Sequence, residues 1–195
     1  MGFRPFPAVF FNRSADQVAP DLLGATIVSS FGGGRTTGRI VETEAYLGEV
    51  DPASHGFKRR QNAQNQALYG RPGDWYVYLS YGIHWCANLV CGPKGHGSAV
   101  LLRAVEPLTG LDLMGTRRHG VKPERLCNGP GKLCQAMAIT RELDGRSMRE
   151  SLVRVGRPTE GRPLQVEVSL RIGITKAADW PLRYSETGSR WRSRP

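Results

Sequence analysis

The pattern of apolar and polar positions that organises the chain lies over residues 39–48, Arg-Ile-Val-Glu-Thr-Glu-Ala-Tyr-Leu-Gly. Read with a period of two, Ile40, Glu42, Glu44 and Tyr46 share one face of a predicted strand, and Val41, Thr43 and Ala45 share the other. Two carboxylates and an aromatic ring on one face do not suit an ordinary half-buried strand. Ile40 and Val41 carry the strand into a core, which leaves Glu44 near the core's edge. Residues 25–30 read as a second strand and the three glycines at 32–34 as the turn between them, a hairpin. Upstream, Ser14 or Asp16 caps a short helix through Ala19 and Leu23 that Gly24 ends. Residues 1–12 mix Pro with Phe and read as an irregular segment laid over the core.

Residues 49–72 are polar and rich in Gly and Asn, a length of connection that in a compact domain is functional or disordered. Within it Asn62 caps a helical turn running to Tyr69. Residues 74–90 hold aromatic and β-branched side chains around Ser80, Tyr81 and Gly82, which predicts two strands joined by a tight turn with Tyr81 at the tip. Residues 99–105 are an apolar run of strand length broken by Arg103. Pro107 opens a helix through Leu113 and Met114, and a Gly-rich turn over 126–131 leads into another. In the last third Leu164, Val166, Val168, Leu170 and Ile172 alternate with polar positions as a strand, with residues 152–155 as a shorter partner. Residues 185–195 read as an irregular Arg-rich tail, frayed at 190–194. Without internal repeats or a linker, residues 1–195 predict a single mixed α+β domain. Its sheet is curved, mostly antiparallel and surrounded by helices, with the tyrosine hairpin protruding.

Composition narrows the partner. The chain of 195 residues carries 27 basic and 17 acidic side chains, a formal charge of +10 that calls for a polyanion, most simply nucleic acid. Only five of the basic residues are Lys; Arg suits bidentate phosphate contacts, although a GC-rich genome gives the same bias. No apolar run approaches the roughly 20 residues of a membrane span. Neither a signal peptide nor a myristoylation signal is legible at the N-terminus, so a cytoplasmic location is expected, at the nucleoid in a bacterium. Cys86, Cys91, Cys127 and Cys134 form no C-x-x-C and read as reduced, buried thiols.

Three side chains raise chemical questions. Glu44 at a core edge can activate a water, bind a metal or pair with an arginine. Arg103 in its apolar strand needs a carboxylate or an anionic partner, and Glu42 and Glu44 are the candidates. Tyr81 on an exposed tip either folds back on its hairpin or has a task. The turn before Lys132 suits a phosphate but is no Walker motif, since no Ser or Thr follows the lysine. A metal-dependent hydrolase on Glu42, Glu44 and His55 has too few ligands. A catalytically silent nucleic-acid-binding module, with aromatics stacked on bases, accounts for the charge and tyrosines but not for Glu44 beside Arg103.

Taken in order, Asp21-Leu-Leu-Gly24, residues 39–46, His55, Tyr76-Val-Tyr78, Tyr81-Gly82, Asn88, Leu101-Leu-Arg-Ala104, Glu106-Pro107, Gly129-Pro130 and Lys132-Leu-Cys-Gln-Ala136 resemble the alkyladenine (3-methyladenine) DNA glycosylase family, the type unrelated to the helix-hairpin-helix glycosylases. The match runs from about residue 10 to residue 184. This resemblance implies an enzyme that flips a damaged purine from duplex DNA and hydrolyses its bond to deoxyribose. It implies Tyr81 as the wedge in the vacated stack, a base pocket of Tyr46, His55, Tyr78 and Asn88, and Glu44 as general base with Arg103 holding the same water or orienting Glu44. The backbone carbonyl of Ile172 is implied as a further water ligand, and Lys132, Gly131 and Asn65 as DNA-backbone contacts. No lysine matches a Schiff-base role, so a monofunctional, monomeric enzyme without metal or organic cofactor is expected, acting on damaged double-stranded DNA. Asn62 and Gln64 stand where the family commonly has Thr and Arg, which bears on affinity more than on chemistry.

Overall fold

Pairing around one long strand organises the chain. The computed structural model describes residues 3–157 and 164–194; Met1, Gly2 and Pro195, assigned above to irregular ends, lie outside them. Strand β2 (Thr36–Tyr46) pairs antiparallel with β1 (Thr26–Ser29) to form the expected hairpin. Its other edge pairs with β5 (Ser98–Thr109). Strands β3 (Trp75–Ser80) and β4 (His84–Cys91) form the tyrosine hairpin on the free side of β5, and β6 (Val153–Gly156) flanks β1, giving the order β3-β4-β5-β2-β1-β6. Beyond the reach of β1, strand β8 (Arg183–Glu186) pairs with β2 from Glu42↔Ser185 to Glu44↔Arg183 and carries β7 (Val166–Ser169) on its far side. The result is an α+β fold with an antiparallel eight-stranded sheet that stays open among the described residues.

Helices α1 (Ala8–Phe11), α2 (Ala15–Asp21), α3 (Leu111–Arg117) and α4 (Pro130–Ala136) cover the sheet. Val18 and Ala19 of α2, Met114 of α3 and Leu133 of α4 share one core with Ile40, Ala45, Val100, Leu102 and Val105 of the sheet. Pro130 occupies the first turn of α4, where its missing N–H costs nothing. The four cysteines are free and buried, and burial pushes the Cys127 thiol up to about 12.

Several expectations need correction. Residues 8–11, read as irregular, form a helical turn whose Phe10 stacks on Phe6 at 4.0 Å. Strand β5 runs through Pro107 to Thr109, and α3 starts only at Leu111, past Gly110 at φ 76°. Pro107 is tolerated because it faces Gly38 at a register shift, where a missing N–H breaks no regular ladder. Residues 153–156 pair with β1 rather than with the later strand. The tail is not frayed at 191–193: Trp191 is buried against Val41 and Ala104, and Ser193 hydrogen-bonds Glu42.

Candidate active site

The alternation of β2 breaks where it matters. Ile40 pairs with Val105, Glu42 with Ala104 and Thr43 with Leu102, so Val41 and Arg103 are left without Cα partners. Such bulges re-aim side chains. Ile40 consequently joins the main core with Ala45, a correction to the simple two-residue alternation that set it beside the carboxylates. Glu42, Glu44 and Arg103 are brought together on the opposite face. Arg103 Nε donates to Glu42 Oε1 at 3.1 Å, and its Nη1 lies 3.1 Å from Glu44 Oε2. Burial works against the Arg103 charge, but Glu44 and Glu42 outweigh it and hold the guanidinium pKa above its ordinary value.

The two carboxylates differ in what surrounds them. Glu42 accepts four hydrogen bonds, from Arg103 Nε, Arg183 Nη1, Ser193 N and Ser193 Oγ. Glu44 Oε2 receives the Tyr46 hydroxyl at 2.9 Å beside Arg103, while among the described residues Oε1 accepts only the Ile172 N–H at 2.8 Å. Burial pushes the Glu44 carboxyl above the usual glutamate range; Arg103, the Ile172 amide and the Tyr46 hydroxyl oppose this without cancelling it. Both glutamates are fully buried, but Tyr46, Arg103 and Ile172 in front of Glu44 line an open cleft of about 1090 Å³.

His55, Tyr76, Tyr78 and Asn88 line the same cleft. Tyr76 and Tyr78 lie on consecutive outward positions of β3 and stack at 5.4 Å, and the His55 ring meets Tyr78 edge-on at 4.6 Å. His55 Nδ1 is 2.7 Å from the Tyr76 hydroxyl. Burial lowers the His55 pKa, which favours a neutral ring at physiological pH. Asn88 donates Nδ2 to the Tyr76 carbonyl at 3.0 Å, which fixes the amide at the cleft wall.

Tyr81 tops the hairpin at φ 50° and 86 % exposed, so it does not fold back on its own strands. Lys132 Nζ reaches Asn128 Oδ1 at 2.9 Å, and burial together with the nearby Arg118 and Arg125 lowers its pKa. Gly131 packs on His84 so closely that an added Cβ would sit 2.8 Å from the histidine's own Cβ, which ties α4 to the hairpin. Asn65 is turned inward. Its Nδ2 donates to the carbonyls of His55 and Arg60 and its Oδ1 accepts from Asn62 N, so it anchors the 55–65 loop.

Sequence reasoning missed the pair that holds this loop. Arg171 and Asp51 form a fully buried, bidentate ion pair at 2.5 and 2.9 Å. Asp51 also accepts from Leu47 N and Ala53 N, while the Arg171 guanidinium lies 4.8 Å from the centre of the Tyr46 ring. The signal was faint: Arg171 alternates with Leu170 and Ile172 and looked solvent-facing. Among the described residues no group of three or more His, Cys, Asp or Glu side chains could hold a metal, and His55 is engaged with Tyr76 instead of the glutamates. The arrangement can present an ionisable carboxylate to a cleft wide enough for a nucleobase, with aromatic walls and an exposed ring at its rim.

Residues 9–190 match the family model described as methylpurine-DNA glycosylase. A relative from Agrobacterium fabrum is 50% identical over 188 residues, 96% of this chain and 92% of its own. One from Rhizobium meliloti is 51% identical over 186 residues, 95% and 94% of the two chains, and one from Methanoculleus marisnigri is 47% identical over 191 residues, 96% and 98%. All three are provisionally named 3-methyladenine DNA glycosylase.

Proposed function

Because the chain belongs to the methylpurine-DNA glycosylase family, and is therefore a DNA glycosylase, we propose that it rotates alkylated or deaminated purines out of duplex DNA and hydrolyses them from the sugar with a Glu44-activated water. Its substrates are the 3-methyladenine, 7-methylguanine, hypoxanthine and ethenoadenine class. Glu44 takes a proton from the water as the water oxygen bonds to the anomeric carbon, and the electron pair of the broken N-glycosidic bond leaves with the base. The carboxylate also stabilises the positive charge that develops on the sugar. Oxygen Oε1 of Glu44 accepts one hydrogen bond, so it is the oxygen with a lone pair left for a water, and the Ile172 carbonyl supplies a further acceptor.

Around that step the roles divide by surface. Tyr81 enters the stack vacated by the base, at an unstacking cost of about a few kcal/mol. The base lies between Tyr46 and the His55–Tyr78 wall, and the fixed Asn88 amide disfavours the 2-amino group of guanine, which a cationic 7-methylguanine offsets by being the better leaving group. Lys132 and the Gly131 backbone face the phosphates. The enzyme works as a monomer without metal or organic cofactor.

One observation carries the choice of base: four donors saturate Glu42, whereas Glu44 keeps an under-used oxygen behind the cleft wall. The test is base release from duplexes holding a single hypoxanthine or ethenoadenine, and from alkylated DNA, with EDTA present. Wild type is expected to release base and Glu44→Gln to bind lesion without releasing it. DNA binding with no release by wild type would instead favour a silent binding module, and full activity of Glu44→Gln would move the base to Glu42.

A further inference from the structure

The tail closes the carboxylate cluster. Ser193 Oγ donates to Glu42 Oε1 at 2.8 Å and accepts from Arg103 Nη2 at 3.2 Å, while Ser193 N donates to Glu42 Oε2 at 2.6 Å. Every arm of the Arg103 guanidinium is thereby engaged: Nε on Glu42, Nη1 on Glu44 and Nη2 on Ser193. Two further contacts seat the segment. Trp191 packs on Val41 and Ala104, residues at the β2–β5 bulges, and Arg192 Nη1 meets Glu167 Oε2 of β7 at 2.6 Å.

We propose that residues 191–193 are a positioning element of the catalytic carboxylate, with Ser193 satisfying Glu42 so that Arg103 stays directed at Glu44. The inference rests on the reading of Glu44 as the base. Its physical ground is that two buried carboxylates share Arg103, Glu42 leaning also on Arg183 and Ser193, and Glu44 also on the Tyr46 hydroxyl and the Ile172 amide. Like charges so close drive one of the pair toward protonation unless other donors hold them. Ser193 contributes two of the four donors on Glu42. Without its hydroxyl, Glu42 draws Arg103 closer and repels a Glu44 anion more strongly. The base is then protonated over a wider pH range. Ser193 does not line the cleft and bonds Arg103 and Glu42, so it acts through them.

Single-turnover base release at saturating enzyme, followed across pH, separates this role from plain packing. Ser193→Ala is expected to lose about tenfold in rate, the scale of one hydrogen bond to a charged group. Its acid limb is expected to move to higher pH, with lesion-duplex affinity as in wild type and a fall in Tm too small to account for the shift. Ser193→Thr, which keeps the hydroxyl, restores both rate and limb. Trp191→Ala, which loosens the seat, moves the limb in the same direction. A Ser193→Ala rate and limb equal to wild type would overturn the proposal, as would a rate loss that tracks a fall in Tm with the limb unmoved. Glu44→Gln assayed alongside keeps the two readings apart. If it is inactive while Ser193→Ala is normal, only the tail's role fails; if it is active, the base assignment fails and takes the tail's role with it.

Discussion

The backbone N–H of Ile172 donates to Oε1 of Glu44 at 2.8 Å, across 128 residues of chain. Ile172 is held there by its neighbour Arg171, whose guanidinium is locked on Asp51 and on the Ala45 carbonyl. Asp51→Ala strands a fully buried cation and should cost about 3–5 kcal/mol in urea unfolding. Replacing both partners with apolar residues should recover part of that stability but little of the base-release rate, because Ile172 loses its support. Equal recovery of both would show that the pair serves stability alone.

Glu44 should be a residue that lowers stability. Its folded carboxyl titrates above the ordinary 4.5 because burial outweighs its donors. A raised carboxyl pKa contributes stability that is fully present below the unfolded value and is lost as pH rises through the folded one. Glu44→Gln, neutral throughout, should therefore unfold at higher urea than wild type at neutral pH. The gap should close as pH falls toward 4.5. Wild-type base release should lose its acid limb above 4.5 for the same reason.

Tyr81 makes the opposite prediction. At 86 % exposure it contributes little to the fold, so Tyr81→Ala should leave unfolding within about 0.5 kcal/mol of wild type. Release from lesion duplexes should fall by about 10- to 100-fold, in line with about 1–3 kcal/mol for one stacked ring. Tyr81→Trp should keep most of the activity. A Tyr81→Ala enzyme with undiminished kcat/KM on duplex substrate would remove the wedge assignment.

Tyr76→Phe deletes the hydroxyl that His55 Nδ1 meets at 2.7 Å and nothing else in the cleft wall. About 1 kcal/mol of stability should go with it. The loosened imidazole should raise KM for lesion DNA more than it lowers kcat, since the role proposed for His55 is beside the base and away from the water. A selective fall in kcat would place His55 nearer the chemistry.

What the sequence disclosed, it disclosed through contradictions of local rules. An arginine in the apolar run of β5 demanded a carboxylate, and two glutamates on β2 stood ready; Arg103 meets both. An aromatic at a hairpin tip demanded a purpose, and Tyr81 indeed projects into solvent. The hidden parts depend on partners far along the chain. The bulges at Val41 and Arg103 fall where the other edge of β2 passes from β1 to β8, which no period of two encodes. Residues 153–156 have the pattern of a strand but no mark of which edge they join. Helix α3 begins four residues after Pro107 because Gly110, not the proline, supplies the left-handed turn. Arg-rich residues 190–194 read as a frayed tail, because the partners of Trp191, Val41 and Ala104, lie far back along the chain.

The contact between Glu42 and Ser193 spans 151 residues. Closing so long a loop comes late, after local hairpins such as β1–β2 and β3–β4 have formed, because its entropy must be met by contacts already in place. On the ribosome, a nascent chain that has exposed Glu44 but not yet residue 193 carries a carboxylate pair without its clasp. On the proposed reading, the order of translation itself delays the full rate until the segment that follows β8 has emerged and docked.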